Sequence, residues 1–138
     1  DNFIILSGMY WMLAPLDTIW NYKLPIESKG LYKYWADSIT QTLDSCNADY
    51  IIDMLPWAYA KMIDWKKLKT PFIKVNFLHN VEGQMKKITH GVKKVKGEYI
   101  QKICEDEASS PLGEENWEGF FWEKVQISKN EYHINIIS

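Results

Sequence analysis

Three lysines within four residues, Lys93, Lys94 and Lys96, stand where the spacing of Val92, Val95, Tyr99, Ile100 and Ile103 predicts a helix over 92–104. The first turn of a helix has backbone N–H groups without intrahelical partners, and ammonium groups beside them suit an anion such as phosphate. The lysines have the wrong sign for the helix dipole, and so do Glu105, Asp106 and Glu107 at the far end. Exposed and screened, such charges cost only about 0.3–1 kcal/mol each, so a merely solvated face is the competing reading. Lys66, Lys67, Lys86 and Lys87 lie in the same basic stretch and would extend a patch. A second chemistry is open to Ser7, Asp17, Asp37 and Asp53. Gathered at one pocket, a hydroxyl and three carboxylates would suit an enzyme acting on a nucleobase or nucleotide. His79, His90 and His133 are scattered singly, with no acidic partner at a diagnostic spacing, and read as structural or exposed. Cys46 and Cys104 lie far apart without CxxC or Cys/His spacing; reduced, buried thiols are expected, and no metal or cofactor is implied.

These residues need elements to position them. Phe3 to Leu6 is a run of four apolar residues, as in a strand buried on both faces, and it stops at Ser7-Gly8, where glycine permits a tight turn or close approach. Pro15, Asp17 and Thr18 supply turn and helix-cap chemistry. Leu31, Tyr34, Trp35, Ser38, Ile39, Thr42 and Leu43 recur at helical spacing and predict a helix over 31–43. Residues 50–55 read as a second buried strand, with Pro56 opening a helix that continues to Asp64. Phe72 to Leu78 and Gln84 to Thr89 form a hairpin around 80–83. Residues 108–116 are an acidic loop, and 117–127 with 131–137 form a terminal hairpin, an inner or covered one, around Ser128-Lys129-Asn130. The expected fold is mixed α+β, a mixed sheet with flanking helices, and 138 residues suit one domain.

Composition narrows the function. No stretch approaches the roughly 20 apolar residues that span a bilayer, and the opening lacks the basic region and cleavage site of a signal peptide, so a cytoplasmic protein is expected. All 16 basic residues are Lys, which favours point-charge contact with phosphate over bidentate base reading. The net charge of −2 divides into about −4 over 1–60, +8 over 61–102 and −6 over 103–138, as a localised anion-binding surface would require. Glycine-rich phosphate loops and nucleophile elbows are absent, which disfavours common kinases, Rossmann oxidoreductases and hydrolases.

LSGMYWMLAPLD (6–17), LYKYWADSIT (31–40), IIDMLPWAYAKMI (51–63), the Lys-Lys pair with Gly97 and EGFFW (118–122) occur in an order that resembles the YaaA family of peroxide stress proteins. Trp11 and Ala14 stand where that pattern has Gly and Arg, Pro56 and Ala58 where it has Ser and Glu, and Gly91 where it has an aromatic. The resemblance implies a mixed α/β protein that binds double-stranded DNA and protects cells from peroxide damage by limiting iron-driven DNA oxidation. Lys93, Lys94 and Lys96 fall on the family's own basic positions. Members of this type have a substantial segment before LSGLYG, so a fragment, a shortened relative or a partner chain supplying that segment is expected, and a homo-oligomer is a further possibility.

Overall fold

The computed structural model describes residues 3–88, 91–105 and 121–137 of the chain, which divides into two compact units. The first comprises 1–49 and 55–70, the second 50–54 and 71–138. The fold is mixed α+β, as the sequence predicts.

In the first unit, β1 (Ile5–Ser7) pairs antiparallel with β2 (Trp11–Leu13), Leu6 opposite Met12. Phe3, Ile4 and Ile5 are 42–49% exposed, so the expected doubly buried strand is corrected to a short hairpin arm whose first residues lie uncovered. Gly8 makes the predicted close approach: a Cβ there would meet Leu31 Cδ2 at 3.2 Å. Pro15 to Thr18 form a turn and cap no helix; Asp17 N–H donates to Ala14 O at 3.1 Å. Helix α1 (Leu31–Ser45) starts from Gly30 at φ 82°, in the left-handed region that glycine enters freely. It buries Ile39, Thr40 and Leu43, while Tyr34 is 70% exposed, so the buried stripe is rotated towards Thr40. Thr40 Oγ1 donates to Ala36 O at 2.6 Å and accepts from Asp64 N–H at 2.9 Å, which satisfies a buried hydroxyl twice. The helix expected from Pro56 to Asp64 is only α2 (Trp57–Ala60), capped at Pro56, followed by turns. Cys46 is exposed, as is Cys104 in the second unit; both thiols are free, but the expectation that they are buried is corrected.

The second unit is a mixed five-stranded sheet. β3 (Ile51–Asp53), half-buried and shorter than expected, runs parallel to β4 (Phe72–Val81). β4 is also parallel to β7 (Glu131–Ile137), which is antiparallel to β6 (Phe121–Gln126), giving the order β3-β4-β7-β6. β5 (Gln84–Lys87) returns on β4 through Glu82-Gly83 at φ 52° and 81°, both left-handed, as a two-residue hairpin turn requires. Parallel and antiparallel pairs place Ile73, Phe77, Ile134 and Ile136 on one face, and α3 (Val92–Glu105) covers them with Tyr99. Burying Tyr99 on Phe77, ring centroids 6.0 Å apart and edge-on, anchors the helix. Of the predicted terminal hairpin, β7 is the inner strand; β6 lies at the end of the strand order, with Glu123, Lys124 and Val125 exposed. Thr89, His90, Asp106, Glu107, the expected 108–116 loop and the 117–120 part of the expected terminal strand lie outside the described residues.

Candidate nucleic-acid interface

Helix α3 begins after Gly91, φ 75°, whose carbonyl accepts from Lys94 N–H at 3.0 Å. The apolar face of Val92, Val95, Tyr99 and Ile103 is turned onto the sheet, and that fixes where the lysines go. Lys93 and Lys94 are exposed, and the first turn carries no acidic residue. Lys94 has an ion pair with Glu98 at 3.8 Å, but at 84% exposure it is worth little. Lys96 differs: half-buried, its Nζ donates to Met54 O at 2.9 Å. Burial lowers the Lys96 pKa, and the charge of Asp53 offsets part of that. Lys96 thus ties α3 to the end of β3, and it brings together two residues that the sequence offered for different chemistries. Lys86 and Lys87 are exposed on β5, paired opposite His79 and Leu78. Strand alternation places Lys86 on the α3 side of the sheet and Lys87 on the other.

Lys66 and Lys67 belong to the first unit, both exposed. Lys67 donates to Asp37 at 2.9 Å and lies 3.6 Å from Asp64. Hydrogen bonding and charge from Asp37, then the charge of Asp64, raise its pKa. Asp37 is therefore an exposed, ion-paired helix residue.

Ser7 is buried, and its Oγ accepts from Met9 N–H at 3.3 Å and Tyr10 N–H at 3.1 Å. With both lone pairs so engaged, its hydroxyl is left to donate to Tyr22 Oη at 2.6 Å. An activated serine instead donates to a base held by a third group. Trp35 Nε1 donates to Gly8 O at 2.9 Å and completes the pinning of this turn. Asp17, exposed, accepts from Ala14 N–H at 2.8 Å. Ser7, Asp17 and Asp37 fall in the first unit and Asp53 in the second. The first three hold local structure.

One polar constellation escaped sequence reasoning. Glu131, His133 and Asn135 alternate along β7 and share the sheet face opposite α3 with Lys74 and Asn76. His133 Nε2 lies 2.8 Å from Glu131 Oε1, Lys74 Nζ 3.5 Å from the same oxygen, and Asn76 Nδ2 donates to Asn135 Oδ1 at 3.1 Å. The hydrogen bond from His133, with the charge of Lys74, holds the Glu131 carboxyl below its usual range against the opposing effect of burial. The legible signal was E-x-H-x-N in a strand of period two; spacing rules suited to helices and metal sites passed over it.

Comparison with known proteins gives a consistent answer. A family model described as "Peroxide stress protein YaaA" matches residues 1–126. A UPF0246 protein of Rickettsia bellii is 31% identical over 120 residues, 80% of this chain and 48% of that protein. A UPF0246 protein of Rickettsia conorii is 29% identical over 141 aligned positions, 95% of this chain and 57% of that protein. The chain thus spans about half the length of the curated relatives it matches.

Proposed function

Because the chain belongs to the YaaA family of peroxide stress proteins, we propose that it binds duplex DNA in the cytoplasm as part of the response to peroxide. Contact is with phosphates, through Lys93 and Lys94 at the start of α3, with Lys86 on the same side of its sheet as the helix. The observation that carries this reading is a pair of exposed ammonium groups on a first helical turn that itself holds no acidic residue, the contact of Lys94 with Glu98 being solvent-screened. There, lysine charge adds to the positive end of the helix dipole. Lys96 supports the site from behind by seating the helix, whereas Lys66 and Lys67 lie in the other unit and are not needed for it. The absence of Arg fits recognition that is indifferent to base sequence.

The test is binding of a labelled duplex across a salt series. Log affinity should fall linearly with log salt, by about 0.9 per neutralised phosphate. A Lys93→Ala/Lys94→Ala variant should weaken binding to all sequences alike and flatten the slope by about two. A parent affinity indifferent to salt, or a variant with the parent's slope, would overturn the proposal.

A further inference from the structure

Residues 3–6 have the composition of a strand buried on both faces, yet Phe3, Ile4 and Ile5 lie 44%, 42% and 49% exposed. Among the described residues, eight of the thirteen exposed large hydrophobics fall between Phe3 and Leu24, including Leu16 at 92% and Trp20 at 84%. Single exposed apolar residues are ordinary, but a concentration of this kind marks a surface that another element covers. Among the described residues β1 pairs only with β2, and a two-stranded ribbon of three residues a side is marginal in water. The other edge of β1 offers backbone groups and an apolar side-chain row to an incoming strand.

We propose that this edge of β1 is completed by an extended apolar segment from the part of the longer family proteins that lies outside the matched region. The relatives supply such polypeptide in quantity, since the match covers only 48–57% of their length. A second copy of this chain is the weaker occupant. Self-pairing of two three-residue strands buries far less than the roughly 1,000 Å² that a stable interface needs. The added strand takes up the outer backbone groups of β1 and sets its own side chains beside Phe3 and Ile5 on one face and Ile4 on the other.

Amide hydrogen exchange tests this on two polypeptides, the 138-residue chain and the intact Rickettsia bellii relative. In the 138-residue chain, the amides of Ile4 and Leu6, which alternate with that of Ile5 facing Leu13, should exchange nearly freely; at the aligned positions of the intact relative, exchange should be at least about 100-fold slower. Equal rates would overturn the proposal. So would protection in the 138-residue chain that grows with concentration as it dimerises, because the cover would then be a second copy. Ile5→Lys should leave the melting temperature of the 138-residue chain unchanged while the aligned substitution lowers that of the intact relative. Unfolding of the 138-residue chain by Ile5→Lys would mean that Ile5 is already covered, and would equally sink the idea.

Discussion

Trp11 has φ 56°, a left-handed backbone that costs an L-residue with a side chain about 1–2 kcal/mol. The YaaA pattern has glycine at this position, the residue that enters this backbone region freely. Here tryptophan occupies the site and its ring lies 6.0 Å from that of Trp35, which compensates part of the strain. Trp11→Ala keeps the strain and discards the ring, whereas Trp11→Gly discards both. Chemical denaturation should find the glycine variant more stable than the alanine variant by about 1 kcal/mol. Two carboxylates make a second case. Asp44 accepts from Lys69 N–H, Thr70 N–H and Thr70 Oγ1 at 2.9 Å each. Burial would raise its pKa, but these hydrogen bonds outweigh that and lower it; Glu131 is lowered too. Above the unfolded-state value of about 4, both are ionised folded or unfolded, and their contacts stabilise in full. As the pH falls below it, the unfolded chain takes up protons first and that stabilisation is lost. An Asp44→Asn/Glu131→Gln variant should show a flatter unfolding free energy between roughly pH 5 and pH 2 than the parent, followed by urea denaturation.

At the scale of elements, α3 depends on one aromatic. Tyr99 is 1% exposed, the most deeply buried group on a helix whose other face is lysine and glutamate. Tyr99→Ala should cost about 3–5 kcal/mol in thermal or urea unfolding, and with Phe77→Ala it should show a coupling of about 0.5–1.5 kcal/mol. The same helix was legible to within a residue at its end because its apolar residues repeat with the helical period, and α1 was legible for the same reason. The β4–β5 hairpin was legible from Asn80 to Gly83, where turn chemistry is local. Failures came where local pattern says nothing about what lies alongside. Phe3 to Leu6 reads as buried, but burial is conferred by neighbours. Pro56 marks a helix start correctly, yet nothing in the next residues announces that α2 closes after Ala60. Of the candidate site, the lysines at the start of α3 were legible from charge and period. The tether from Lys96 to Met54 and the Glu131–His133 pair required knowing how strands and helix pack.

At the scale of the molecule, charge and topology are organised separately. The basic middle of the sequence is distributed over both units: Lys66 and Lys67 fall in one, Lys86, Lys87, Lys93, Lys94 and Lys96 in the other. The sequence balance of +8 over 61–102 therefore draws on lysines of both units. The sheet order was not legible at all, because the parallel pairing of β4 with β7 joins residues about sixty positions apart and leaves no trace in either strand. That pairing sets a clock on synthesis. β4 emerges with Ile73 and Phe77 in place, but its neighbour in the finished sheet begins only at Glu131. At about 5–20 residues per second, the 49 positions between Val81 and Glu131 take roughly 2–10 s to make. For that interval the nascent chain carries an unfilled strand slot at the heart of its sheet, and holding that slot open against aggregation is a task its folding must accomplish each time.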